Sequence, residues 1–120
     1  MRSLRRGQIY LLKSDVVGKK RPVLVVSPAQ LNGGIYVLAA PFYTQQIEKR
    51  RAQPWCVFFA AGEFGLDADC ILKTDEVTNF KISDLRLSDG EIGLVDAEKM
   101  QLVSQALCFS LGIELHGTSE

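Results

Sequence analysis

The chain has 120 residues, 47% of them apolar and 23% charged. That balance is ordinary for a single globular domain spanning 1–120 with a core of its own, and no apolar run reaches the ~20 residues needed to cross a membrane. Fourteen bases and fourteen acids cancel overall, yet residues 1–51 hold ten bases and two acids while 52–120 hold four and twelve, a split that hints at a polyanion-binding surface unless the halves interleave.

The N-terminal "MRSLRRGQIYLL" has charges and a short apolar run but no full hydrophobic region or cleavage site, so no signal peptide is read and the cytoplasm is the expected location. Cys56, Cys70 and Cys108 form no C-x-x-C pair, and His116 is the only histidine. Buried thiols are expected, with no metal site, disulfide framework or cofactor.

The first predicted strand is Gly7–Lys13, followed by a loop over 14–20 that turns at Gly18. The second strand is Arg21–Ser27. Pro22 has no N–H and belongs at a strand start or edge, and Pro28 ends the run. "NGG" at 32–34 turns into a third strand, Ile35–Phe42, which Pro41 closes or bends. "YTQQIEKRRAQ" reads as a polar, basic connection. Strand four is Trp55–Ala60 and strand five Asp69–Lys73. Their near-continuous apolar character predicts a small curved sheet covered on both faces.

Residues 84–96 are ambiguous. Ser88 and Glu91 fit a capping box, and Asp89-Gly90 fits a hairpin turn. Gly93 favours the hairpin, with Glu91–Val95 as a sixth strand. A helix then opens at Asp96 as N-cap and stops at Gly112. Met100, Val103, Ala106, Leu107 and Leu111 make its apolar stripe, with Glu98, Lys99, Gln101 and Gln105 on the other side. The expected fold is mainly β: a small β-barrel of about six strands closed or packed by one C-terminal α-helix. Trp55, Phe58, Phe59, Phe64 and Phe80 are expected in the core or a dimer interface. Phe109 falls off the stripe and is free to pack a second surface.

Four segments in this order resemble the MazF/PemK toxins of type II toxin–antitoxin systems: "RGQIYLL" (6–12), "RPVLVVS" (21–27), "GLDADCILKTDEV" (65–77) and "DAEKMQLVSQALCFSLGI" (96–113). The resemblance spans nearly the whole chain. It implies a twisted, SH3-like small barrel, a symmetric homodimer and a metal-independent, sequence-selective endoribonuclease of single-stranded RNA. In that chemistry the ribose 2′-OH attacks the adjacent phosphate, leaving a cyclic phosphate and a 5′-OH. It also implies a cognate antitoxin whose disordered acidic tail blocks the RNA groove.

The resemblance makes Arg21 the catalytic arginine. A guanidinium stays protonated and offers two parallel hydrogen bonds to the charge that builds on phosphate oxygens. Without the resemblance, Arg21 reads first as a loop-end residue that solvates a strand terminus. The family hydroxyl past the third strand falls on Tyr43 or Thr44. Either orients the 2′-OH or donates to the phosphate, and Tyr43 could also stack on a base. Lys73 and Asp75 match cleft positions, Lys73 as a phosphate-binding charge and Asp75 as a base or base-edge acceptor. Arg6, Lys19, Lys20, Lys49, Arg50 and Arg51 supply the expected phosphate-backbone affinity.

Two departures stand out. The loop over 14–20 is short for the family, and the usual arginine after the aspartate is missing from Glu76-Val77-Thr78-Asn79, where Glu76 would repel phosphate if it faced the groove. A binding-only relative of the same fold, including a CcdB-type gyrase inhibitor hinted at by "SLGI", is the rival reading.

Overall fold

The computed structural model describes residues 4–13 and 21–114. Lys19, Lys20 and the predicted loop over 14–20 lie outside the described residues. The described chain forms seven strands in one curled antiparallel sheet: β1 Gln8–Leu11, β2 Pro22–Val25, β3 Tyr36–Tyr43, β4 Cys56–Phe59, β5 Cys70–Lys73, β6 Thr78–Lys81 and β7 Gly93–Leu94. A short helix, α1 (Ile47–Arg51), follows β3, and a long one, α2 (Ala97–Ser110), follows β7. Among the described residues no helix is long and apolar enough to cross a membrane.

The sheet runs β4-β5-β3-β2-β1-β7, with β6 added to β3. β3 is the shared element. Its first half, Tyr36–Ala39, pairs with β6, and its end, Phe42–Tyr43, pairs with β5. Its other edge pairs Ala39–Pro41 with β2. The register leaves Ala40 and Pro41 without a partner on the β6/β5 edge, so a residue without an N–H is tolerated inside the strand. Pro41 therefore does not close β3 as the sequence allowed. After β6 the chain returns to β1: Leu85 bridges Leu12, and the Arg86 N–H donates to the Leu11 carbonyl at 2.8 Å. That return curls the sheet into a small barrel.

Period-two alternation assigns the two faces. Tyr10, Leu12, Val23, Val25, Val37, Ala39 and Leu85 fill the barrel interior, with Phe80 and Ile82 against them. Ile9, Leu24, Val26, Ala40, Phe42, Phe59 and Leu72 face the other way and pack under Val103 and Ala106 of α2. Both faces are covered, which is why these strands read as unbroken apolar runs. Each such side chain contributes about 1.5–3 kcal/mol on burial. Cys56 and Cys70 are buried, as expected, and Cys108 is partly buried. Burial pushes the Cys70 thiol up to about 12, helped by Asp69, Asp67 and Glu63.

The N-cap of α2 is Asp96, whose carboxylate accepts from the Lys99 N–H at 2.9 Å. Leu111, predicted on its buried stripe, is 61% exposed. Lys99, predicted on the outer side, folds back to donate to the Phe58 carbonyl at 3.0 Å and pair with Glu63 at 3.3 Å.

Four elements differ from the sequence reading. The Asp89-Gly90 hairpin does not form: Leu87–Asp89 is a single 3₁₀ turn. The predicted sixth strand contracts to two residues that pair with Gln8 and Ile9 of β1. Gly93 is required for a different reason: a Cβ there would lie 1.9 Å from the Phe64 carbonyl oxygen. β6 was missed because Thr78, Asn79 and Lys81 are all exposed and only Phe80 turns inward. α1 was missed because it buries no residue.

Candidate functional site

The site forms where β2 begins and β3 ends. Extending the β2–β3 register beyond Val23↔Pro41 sets Arg21 opposite Tyr43. The Arg21 carbonyl accepts from the Leu12 N–H at 2.9 Å, and Pro22 pairs with Leu11. Pro22 fixes φ and has no N–H to satisfy, so the backbone beside Arg21 is held on both sides. The Arg21 guanidinium lies over the Tyr43 ring, 4.2 Å from its centroid, and Nη1 donates to the Phe42 carbonyl at 3.2 Å.

Tyr43 is where three cations converge. Besides Arg21, the Arg50 guanidinium of α1 lies 5.3 Å from the ring centroid and the Lys73 ammonium of β5 lies 5.5 Å from it. Each element supplies its residue for a local reason. Phe42 turns into the core, so its neighbour Tyr43 turns out on the face away from α2. Tyr43 pairs with Ile71, and Lys73 lies two residues further along β5 on the same face. α1 begins just past β3, and Arg50 Nη1 donates to the Gln45 carbonyl at 3.2 Å.

The 3₁₀ turn Thr74–Glu76 adds two acids. Lys73 Nζ is 2.8 Å from Glu76 Oε2 and 3.9 Å from Asp75 Oδ2. Tyr43 donates its phenolic proton to Glu76 Oε1. The turn is anchored by Thr74, which is fully buried. Its hydroxyl donates to the Trp55 carbonyl at 2.7 Å and lies 2.8 Å from Ser110 Oγ of α2.

These contacts set the protonation states. The hydrogen bond to Glu76 raises Lys73 above the ordinary ammonium value. Burial pushes the Glu76 carboxyl up, but hydrogen bonds from Lys73 and Tyr43 outweigh it and hold the group below its ordinary value. Burial raises Tyr43, and Glu76 adds to the effect. At neutral pH the site therefore holds an ionised carboxylate, a charged lysine, two arginines and a protonated phenol.

Of the residues predicted from sequence, the structure brings Arg21, Tyr43, Arg50, Lys73 and Asp75 together. Thr44 is exposed just past β3. Arg6 is engaged elsewhere: its guanidinium donates to the Val26 carbonyl and, at 2.6 Å, to Ser104 Oγ, tying β2 to α2. Two of its five donors are thus taken up in packing. Arg51 lies 3.9 Å from the Phe58 ring centroid and pairs with Glu48 at 3.3 Å. Lys49 is exposed on α1. The role of Glu76 was missed. It was read only as a repulsive departure, and its bond to Tyr43 spans 33 residues of sequence.

The family model of the PemK-like, MazF-like toxins of type II toxin–antitoxin systems matches residues 5–111. No curated protein matches the chain in sequence. Among solved structures, the fold is similar to an endoribonuclease in complex with its cognate antitoxin from a mycobacterial species. That pair has a TM-score of 0.75 and 23% identity, over 94% of this chain and 99% of that one. The Mycobacterium tuberculosis toxin MazF-mt6 gives a TM-score of 0.74 at 19% identity, over 90% and 99%. The MazE–MazF structure from Deinococcus radiodurans gives 0.72 at 21%, over 93% and 98%. By the family match over most of its length, and with the same fold in these toxins, the chain belongs to the PemK-like, MazF-like toxins of type II toxin–antitoxin systems.

Proposed function

We propose that the protein is a metal-independent, sequence-selective endoribonuclease of single-stranded RNA, mRNA above all, acting in the cytoplasm. The observation that carries this reading is the convergence of Arg21, Arg50 and Lys73 around the Tyr43 ring. In-line attack of a ribose 2′-OH on the adjacent phosphate builds negative charge on the non-bridging oxygens. Preorganised cations stabilise that charge, and guanidinium groups stay protonated throughout.

In this reading Arg21 turns a free N–H toward the phosphate while Nη1 stays on the Phe42 carbonyl. Arg50 adds backbone-phosphate affinity. Lys73 keeps one N–H on Glu76, whose charge offsets its own, so it is a weaker phosphate contact than its charge implies. Tyr43 or Thr44 meets the 2′-OH, and Asp75 is exposed at the rim to accept from a base amino group. The products are a cyclic phosphate and a 5′-OH. The endoribonuclease and MazE–MazF neighbours support extending the reading to a homodimer and a cognate antitoxin, whose disordered acidic tail competes with RNA for the same cations.

The test is incubation of the wild type and Arg21→Ala with a broad RNA pool in EDTA. Wild-type cleavage with cyclic-phosphate ends, lost in the variant, is expected. RNA that binds tightly and stays intact would leave a binding protein on the same fold.

A further inference from the structure

Glu76 is a carboxylate held inside a cationic cluster. Arg21 precedes β2, Arg50 comes from α1 and Lys73 from β5, while Asp75 adds a second carboxylate on the same turn as Glu76. A phenol has one proton and acceptor lone pairs. Tyr43 commits that proton to Glu76 Oε1. Toward a ligand its oxygen can then only accept. A phosphate oxygen gains nothing from such a group, whereas a hydroxyl does.

We propose that Glu76 is a positioning residue: by taking the Tyr43 proton, it makes the Tyr43 oxygen an acceptor for the 2′-OH of the scissile nucleotide. The inference rests on the RNA-cleavage reading above and assigns Tyr43, rather than Thr44, to the nucleophile. In the step, the 2′-OH proton passes to the Tyr43 oxygen as the Tyr43 proton passes to Glu76. The 2′-oxygen bonds to phosphorus and the phosphorus–O5′ bond breaks. The departing oxygen takes a proton from water, and Glu76 returns its own to the hydroxide left behind. An acceptor at this position also selects RNA over DNA, since deoxyribose has no hydroxyl to offer.

The competing explanation is an acid that merely repels phosphate. Glu76→Gln separates the two, because glutamine keeps the shape and an acceptor oxygen but takes no proton. Positioning predicts a fall in kcat of about 10²-fold, with KM for RNA unchanged or lower because a negative charge has gone. Tyr43→Phe falls similarly, and the double variant falls no further than the worse single one. A kcat at or above wild type in Glu76→Gln, or losses that multiply, would overturn the proposal.

A second readout is independent of cleavage. In protein labelled at the tyrosine Cζ, the Tyr43 titration midpoint falls in Glu76→Gln, because the carboxylate charge that helps to raise it is removed while an acceptor stays in place. An unchanged midpoint overturns the pairing of Tyr43 with a charged Glu76. A wild type that cuts no RNA while the midpoint still shifts overturns the cleavage reading, and with it the role of Glu76 in cleavage.

Discussion

Arg21 lies over the ring of Tyr43, with its guanidinium carbon 4.2 Å from the ring centroid. The two residues are 22 positions apart and meet because the β2–β3 register sets them opposite each other. The ring contact and the Phe42 carbonyl, which takes one of its donors, hold the guanidinium in place. The remaining donors are left for the oxygens of a phosphate.

Arg21→Lys therefore loses nearly as much as Arg21→Ala. A lysine keeps the charge but neither stacks as a plane nor offers a bidentate fork. RNA cleavage is expected to fall about 10²–10³-fold in both variants. Since Arg21 is partly exposed, the melting temperature stays close to wild type. A Lys variant with wild-type turnover would reduce the role of Arg21 to a point charge.

Arg50 and Arg51 are neighbours with different fates. Arg50 faces the Tyr43 cluster, whereas Arg51 lies over Phe58 and pairs with Glu48. Arg50→Ala should weaken RNA binding and lower the slope of log affinity against log salt by about 0.7, the value of one lost contact to a single strand. Arg51→Ala should leave that slope nearly unchanged. Equal slopes in the two variants would mean that α1 acts only as a diffuse charge.

Thr74 joins the site to the core. Its buried hydroxyl bridges the Trp55 carbonyl and Ser110 of α2. Thr74→Val keeps the volume and leaves these groups without that partner, which costs about 1–3 kcal/mol in urea unfolding. The turn carrying Asp75 and Glu76 should loosen with it, so turnover falls more than the loss of folded protein explains.

The Lys73–Glu76 pair gives stability a defined pH dependence. The Glu76 carboxyl lies below its ordinary value, so its contribution is present above that value and is lost as pH falls through the depressed one. Lys73 is raised, so its contribution is present below the ordinary lysine value and is lost as pH rises through the raised one. Wild type should therefore be more stable than Glu76→Gln near neutral pH, and the gap should close in acid as pH falls through the depressed Glu76 value. Both side chains are partly exposed and the gap is modest. Unfolding curves at the two pH values check it, and a gap unchanged in acid would contradict the pairing.

Much of the barrel was legible along the chain. Val23–Val26 and Ile9–Leu12 are apolar on alternate positions for two different cores, and unbroken runs of this kind require a sheet covered on both faces. The N-cap at Asp96 and the basic residue before Pro22 were legible for the same reason: each is a local pattern with a local cause. Sequence could not show β6, whose one inward residue is Phe80. Nor could it show that Gly93 serves a close approach to Phe64 rather than a hairpin.

By itself, the sequence determined most of the strands and the C-terminal helix, because period-two burial and capping are written in neighbouring residues, and its resemblance to the MazF/PemK toxins pointed to the family and to Arg21. Tertiary structure alone decided which charges work together. Four described bases of the first half take separate places: Arg6 ties the end of β2 to α2, Arg51 covers Phe58, and Arg21 and Arg50 meet Lys73, Asp75 and Glu76 from the acidic half. That sorting depends on strand register and on one buried threonine under a 3₁₀ turn, which act between residues tens of positions apart.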